Sequence, residues 1–499
     1  MSNAELFRQA AERGDTPLLP GERLWGFWEF TYANSALAIA TWAFLIGGAT
    51  AAFVGPREGI AAIIIGNILG VMLVTLPTCL PCGKYGVEQF TLLRSTFGRN
   101  GSRLVYALAV VLLTLGWLAV LGMMFGRSVD GMLTLLKTGE AVTEPANGLL
   151  VSVLAAVAII VTGFVVARGP TSIKFFNMIM SPALVLLMFV MMWLILGQHQ
   201  PAELLGLPAL APPTEDKRLN FMIAVEVNMA AGFSWWPYLG NLARLSKNER
   251  TSFWPNVVGV FGAASLGEIV GLLGAAALGN ADPTIWMTSI GGVAIGIVAL
   301  GFIAFANVTS MINILYTSVV GLRQLAGPVL GRLSWDMLVA AFCVVPLVVA
   351  FAAPGIYDGF FIFLVWTSAL NATLAGIGMA DYFVLRRQHI SLRAVFASPE
   401  RSPFAYWGGF NPIALTALVA GSAVYVFVFN PQTLAAGPGF TLLSASMPAF
   451  VAAAVVQWVG TRMFGSRRFG DYGERIASGA GTTVESLAVV EPAVDAIVR

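Results

Sequence analysis

The chain has 499 residues, 57% of them hydrophobic and only 11% charged, with 28 Lys and Arg against 26 Asp and Glu. Ordinary soluble domains carry about 25% charged residues, so the composition excludes a soluble globular fold and points to a polytopic membrane protein. The formal net charge of +2 selects no partner by itself, and no nucleic-acid partner is expected.

A polar tail, 1–24, comes first and has no apolar run of the secretory type, so the first span is expected to act as its own insertion signal. Apolar segments then lie near 26–48, 59–80, 104–131, 147–167, 174–197, 219–240, 254–278, 291–321, 335–353, 359–385, 409–430 and 440–463. Each offers the roughly 20 residues a helix needs to cross hydrocarbon and is too long for a barrel strand. The expectation is an all-α protein with twelve transmembrane helices, closed by a polar tail at 464–499.

Basic residues alternate along this frame. The N-terminal tail, every second connection and the C-terminal tail hold 23 of the 28 Lys and Arg. The other side receives Arg57, Lys137, Lys217 and Arg218, with Arg127 near that end of span 3. Basic residues accumulate on the cytoplasmic side, so both termini are expected there, in a plasma (inner) membrane.

Polar residues inside the spans mark where function is expected. Span 1 carries Thr31, Tyr32, Asn34, Ser35 and Thr41. Cys79-Leu-Pro-Cys82 has redox spacing but sits at a proline-broken helix end with no histidine nearby, which favours reduced thiols. The stretch 83–101 is amphipathic and suited to lying along the membrane surface. In span 3, Trp117 lies mid-span, and Arg127 with Asp130 has the spacing of a local ion pair. Span 6 carries Glu226, Asn228, Gly232, Ser234, Trp235, Trp236, Pro237 and Gly240. Pro and Gly there free backbone groups that lipid cannot satisfy, and such breaks survive where they line a cavity. Spans 1 and 6 are five apart, as in a transporter core of two inverted five-helix repeats; the alternative is a pair of kinked helices without a site. Intramembrane carboxylates are costly and usually functional or paired. Glu226 shares the broken span and is the better binding candidate, against a solvated place in the outer vestibule. Glu268 in span 7 is either a hydrogen-bonded core acid or a proton carrier.

Two stretches near the C-terminus carry a family signature. Gly376-Ile-Gly-Met-Ala-Asp-Tyr-Phe-Val-Leu-Arg-Arg387 ends span 10 on the basic side, where Asp381 with Arg386 and Arg387 is expected to fix the helix end. Tyr406-Trp-Gly-Gly-Phe-Asn-Pro-Ile-Ala-Leu415 opens span 11. With Trp235-Trp-Pro-Tyr-Leu-Gly-Asn-Leu-Ala-Arg244 at the end of span 6, and Lys174-Phe-Phe-Asn177 with Ser181-Pro-Ala183 in span 5, the chain resembles the nucleobase–cation symporter-1 transporters over residues 17–463. These carry purines, pyrimidines, hydantoins, allantoin and related vitamins. Asn241 stands where the family often has Asp.

The resemblance implies a LeuT-like 5+5 inverted-repeat core, with repeats at 25–198 and 218–388, plus two additional helices at 405–463. It implies a planar heterocycle between spans 1, 3, 6 and 8 and a cation, Na⁺ or H⁺, between spans 1 and 8. Sodium-binding carbonyls then fall on Ala36, Ile39 and Ala306, and hydroxyls on Thr309 and Ser310; on residue type alone, the two hydroxyls would simply bond back to their own helix. The stacking tryptophan falls on Trp117, whose flat face suits a heterocycle. Its partner in span 6 stays open between Gly232-Phe233 and Trp235 or Trp236. The amide groups that hold hydantoin in the bacterial transporter correspond to Ala40, Leu121 and Leu315, so hydantoin recognition in that form is not expected. Asn34, Ser35, Asn228, Ser234, Asn307 and Asn313 are polar candidates for a different edge, or interhelical glue.

The expected function is secondary active import of a nucleobase-like N-heterocycle by Na⁺ or H⁺ symport, with no cofactor beyond the coupling ion, as a monomer or weak oligomer in the bilayer. The alternatives are an amino-acid or vitamin transporter on the same core, or a non-transporting receptor. An enzyme is not expected, because His199 and His389 both lie in loops, and no P-loop pattern supports ATP-driven transport.

Overall fold

The computed structural model describes residues 16–23, 25–143, 148–325, 333–398, 402–433 and 435–465. The tails expected at 1–24 and 464–499 lie outside the described residues except at 16–23 and 464–465.

Helices dominate. They run as α1 (Phe27–Ala38), α2 (Thr41–Phe53), α3 (Pro56–Tyr85), α4 (Arg99–Thr138), α5 (Leu149–Ala167), α6 (Pro170–Gln198), α7 (Lys217–Phe233) and α8 (Trp236–Ala243). They continue as α9 (Glu249–Leu278), α10 (Val293–Leu325), α11 (Trp335–Ala352), α12 (Phe360–Leu385), α13 (Pro412–Val428) and α14 (Ser446–Gly460). Among the described residues nine helices are long and apolar enough to cross a membrane, and α1 with α2, bent by 55°, makes a tenth. The α7–α8 pair and the shorter α13 occupy the places of expected spans 6 and 11.

Local sequence explains where these helices begin and end. The Asp216 side chain accepts from the Arg218 and Leu219 amides to cap α7, and Ser334 caps α11 through Met337. Asn411 caps α13, with Pro412 at its first position, where a missing N–H costs nothing. Gly86, at φ 65°, ends α3 in the left-handed conformation that glycine adopts without strain. Ile39 and Ala40 are extended and interrupt span 1; α7 stops at Phe233 and α8 restarts at Trp236, with Pro237 in its first turn.

The packing is symmetric between the two halves. α2 packs on α9 as α7 packs on α3, and α6 packs on α1 as α12 packs on α7. α6 also meets α9 as α12 meets α3, while α4 and α10 pack on each other. Each relation maps onto its counterpart when spans 1–5 are exchanged with spans 6–10, as an inverted repeat requires. Glycines make the two tightest pairs possible. A Cβ on Gly271 would collide with the Phe44 carbonyl oxygen, and one on Gly232 would lie 2.7 Å from the Gly70 Cα. Such small residues let helix backbones approach closely in a membrane. The outer face is apolar: Phe175, Leu186, Phe189 and Trp193 of α6 are all exposed, as lipid contact demands.

Candidate functional site

The α1–α2 break sets up the first half of the site. The last carbonyls of a helix lack partners within it, and Ile39 and Ala40 turn the chain away before the next turn can supply them. α10 supplies them instead. The Thr309 hydroxyl lies 3.1 Å from the Ala36 carbonyl and 2.7 Å from that of Ala306, and the Ser310 hydroxyl donates to the Leu37 carbonyl at 3.0 Å. Asn307 closes the other side, accepting from the Thr41 amide at 3.2 Å and donating to the Thr41 hydroxyl at 2.8 Å. Ala36, Ile39, Ala306, Thr309 and Ser310 are all buried. The Thr309 and Ser310 hydroxyls thus reach across to α1, beyond the local back-bonding open to any helical hydroxyl. They gather carbonyl and hydroxyl oxygens without a formal charge, at the negative C-terminal end of the α1 dipole. Neutral oxygens gathered in this way are of the kind that can coordinate a monovalent cation. Asn307 and Thr41 complete the arrangement. Their signal in the sequence was polarity inside an apolar span, Thr41 in span 1 and Asn307 in span 8.

Trp117 on α4 is 3% exposed and meets Phe360 and Phe363 of α12 edge-on, both at 5.5 Å. Its indole N–H has no hydrogen-bond partner among the described residues. Leu121 follows one turn later, and Leu315 lies on α10, which packs along α4; both are buried. Trp235, at the α7–α8 break, packs edge-on against Trp42 at 5.1 Å, immediately after the α1–α2 break. Tyr238 joins Trp235 and holds the Thr114 hydroxyl at 3.0 Å. The two broken helices therefore meet through an aromatic pair, Trp42 with Trp235. Trp42 had no polar or spacing signal in the sequence, whereas Tyr238 lies in the span 6 motif.

Of the remaining candidates, Ser234 bonds back to the Ala231 carbonyl of its own helix at 2.6 Å, and the following serve contacts between helices. Gly232 faces Gly70 on α3, and Phe233 packs on Phe450 of α14 at 6.3 Å. The Asn34 amide donates to Asn256 on α9 at 3.1 Å, Asn228 to Thr50 at 3.0 Å, and Asn177 and Asn313 exchange bonds at 3.0 and 3.2 Å. Glu226 is fully buried and not in a solvated vestibule. Its carboxyl accepts from the Tyr425 hydroxyl at 2.7 Å, the Ala445 and Ser446 amides at 2.9 and 3.1 Å, and the Ser446 hydroxyl at 2.6 Å. It caps the start of α14 and ties α7 to the two C-terminal helices. Glu268 accepts from Asn67 on α3, whose amide also reaches Ser265, while its other oxygen has no partner among the described residues. Arg127, expected to pair with Asp130, reaches Asp358 at 2.9 Å and Asp282 at 3.6 Å, with its guanidinium 3.8 Å from the centre of the Tyr357 ring.

The motif residues near the C-terminus lock a surface segment. Asp381 accepts from Arg386 at 2.7 Å and from Thr96 at 2.8 Å. Asn411 donates to the Thr96 carbonyl at 2.7 Å and its amide donates to that of Phe97 at 2.8 Å. Both signature stretches thus grip the short helix Arg94–Phe97. Asn241 similarly accepts from the Gln89 amide and donates to the Thr317 carbonyl.

The family model for permeases for cytosine/purines, uracil, thiamine and allantoin matches residues 17–458. The chain belongs to this family. A purine-uracil permease NCS1 of Arabidopsis thaliana is 22% identical over 425 residues, covering 81% of this chain and 69% of the relative. Among solved structures, Mhp1, a nucleobase-cation-symport-1 family transporter, is similar in a closed conformation with bromovinylhydantoin bound, at a TM-score of 0.71 and 20% identity over 91% of this chain and 96% of Mhp1. Its inward-facing conformation gives a TM-score of 0.73 and 20% identity over 94% and 97%. A Na⁺-coupled sialic acid symporter in a substrate-bound outward-open state gives 0.62 and 12% identity over 92% and 95%. The nucleobase–cation symporter-1 permease described here therefore has a LeuT-like fold and is a multi-pass membrane transporter of small molecules, not an enzyme.

Proposed function

We propose that this permease imports a nucleobase-like N-heterocycle, a purine or a pyrimidine such as cytosine, by symport with sodium. The observation that carries sodium coupling is the meeting of the Thr309 hydroxyl with the Ala36 and Ala306 carbonyls at the helix break. Ala36, Ile39, Ala306, Thr309 and Ser310 hold the ion in this reading. Trp117 and Trp235 provide the aromatic faces for the heterocycle. Leu121 and Leu315 leave its edge without the amide partners of the hydantoin pattern, which costs about 1–3 kcal/mol for each polar group left unpaired. Gly232, Phe233, Asn34 and Glu226 act through packing around that site.

Proton symport is the second reading, favoured by the buried Glu268 carboxyl and its single amide partner, Asn67. The repeats at 25–198 and 218–388 move against each other around the site, and the additional helices at 405–463 brace the second repeat through Glu226. The placement of 23 of the 28 Lys and Arg supports a plasma-membrane topology with both termini cytoplasmic. Uptake into proteoliposomes tests the reading with purines, pyrimidines, hydantoins, allantoin and thiamine under a sodium or a pH gradient. Uptake of a purine or pyrimidine that collapses without sodium is the expected result. Accumulation driven by the pH gradient alone selects the second reading, and binding without accumulation rejects transport.

A further inference from the structure

On the surface where both family motifs meet the 94–103 segment, a cavity of about 880 Å³ opens between the start of α4 and the connection from α12 to α13. Arg94, Arg99 and Arg103 line one wall, and Phe404 with the Gly408–Gly409 backbone lines the other. No acidic residue lines it among the described residues. Arg99 and Arg103 are four residues apart on one helix face, where like charges repel. Arg103 bonds to neutral groups, the Leu325 carbonyl at 2.9 Å and the Asn100 side chain at 3.2 Å, which leaves its charge uncompensated. Arg99 has no ion-pair partner among the described residues. Burial lowers the pKa of Arg94, and neighbouring Arg99 and Arg103 lower it further while Glu88 opposes them. A guanidinium stays charged in any such setting, so Arg99 and Arg103 hold a repulsion that an anion would relieve.

Three features specify the anion. Arg99 opens a long apolar helix and Pro412 a shorter one, so the cavity lies at the level of the lipid headgroups. Trp407 beside it is 75% exposed, and Leu104, one turn into α4, is exposed as well. An exposed tryptophan at a helix entrance marks the membrane–water interface. The lining also combines guanidinium groups with the apolar Val395, Phe396 and Phe404, and its volume exceeds the needs of a bare phosphate ion. Basic pockets between membrane helices take phospholipid headgroups on these terms.

We propose that this cavity binds the phosphate of an anionic phospholipid, with the guanidinium groups of Arg99 and Arg103 on the phosphate oxygens and the glycerol backbone against Phe404. A lipid bound there would bridge α4 and the α12–α13 connection, which Asn100 already joins through the Gly408 and Gly409 carbonyls at 2.9 and 2.8 Å. The site is separate from the broken helices and holds whether or not the proposed substrate is right.

The test uses the full chain in nanodiscs of phosphatidylcholine with increasing phosphatidylglycerol, read by thermal unfolding and by lipid retention in native mass spectrometry. Saturable stabilisation at a low fraction of phosphatidylglycerol is expected. Arg99→Gln, which removes no hydrogen bond among the described residues, should weaken the midpoint about fivefold, the effect of one basic side chain near an anionic lipid. Arg57→Gln, exposed at the start of α3, should leave it unchanged. Equal midpoints for the protein and Arg99→Gln would overturn the proposal. So would an equal loss in Arg57→Gln, or full stabilisation by soluble glycerol phosphate at matched concentration, which would make this a free-anion site.

Discussion

The Thr309 hydroxyl bridges two helices because the Ala36 carbonyl has no amide within its own helix. Replacing Thr309 with Ala removes that bridge and leaves the carbonyl unsatisfied. A lost buried hydrogen bond costs about 1–3 kcal/mol, so Thr309→Ala should raise the sodium concentration for half-maximal uptake by roughly tenfold or more. Unchanged sodium dependence in that variant would remove the cation assignment. Trp117 makes no hydrogen bond through its indole among the described residues, and in the proposed site its ring face stacks on the heterocycle. Trp117→Ala should weaken heterocycle binding by about 0.5–1.5 kcal/mol beyond the lost contact area, seen as a higher half-saturation at unaltered sodium dependence. Undiminished affinity would assign the ring to packing against Phe360 and Phe363.

At the scale of helices, glycine sets how closely the broken pair α7–α8 can seat. Gly232 lies against the Gly70–Val71 backbone, so any Cβ there pushes α7 off α3. Gly232→Val should therefore destabilise the fold, with overpacking costs of about 1–3 kcal/mol or more, read as a lower unfolding temperature and poorer recovery as a monodisperse species. A normal unfolding temperature would show that α7 can shift without cost. The breaks themselves were legible: Asn34 to Thr41, and Gly232 to Gly240, carry the polar and helix-breaking residues that lipid does not tolerate in a regular helix. The direction each side chain takes was not. Glu226, Gly232 and Phe233 sit in the broken span, yet they face α14 and α3, because a helix presents neighbouring residues to different partners every 100° or so.

At the scale of the whole molecule, Glu226 joins the ten-helix core to α13 and α14. Four donors converge on its carboxyl, and an amide in its place would turn an N–H₂ group toward some of them. Glu226→Gln should lower thermal stability by about 1–3 kcal/mol while leaving substrate half-saturation unaltered in the folded fraction. A selective loss of substrate affinity with normal stability would return Glu226 to the binding site. The symmetry of helix pairing, α2 on α9 against α7 on α3, follows from the fold and could not be read from composition.

The sequence by itself determined that the chain is a helical membrane protein, where its helices lie, which two are broken, and to which family it belongs. Those features depend on local chemistry: apolar length, charge placement, and Pro, Gly and polar residues inside a span. Only the tertiary structure decided that Thr309 and Ser310 reach the α1 carbonyls, that Trp235 meets Trp42, and that Glu226 caps α14. These contacts join residues separated by some 200 or more positions, or, for Trp42 and Trp235, two different helix breaks. A side chain's partner across such a gap is fixed by how whole helices pack, and helix packing is a property of the assembled molecule.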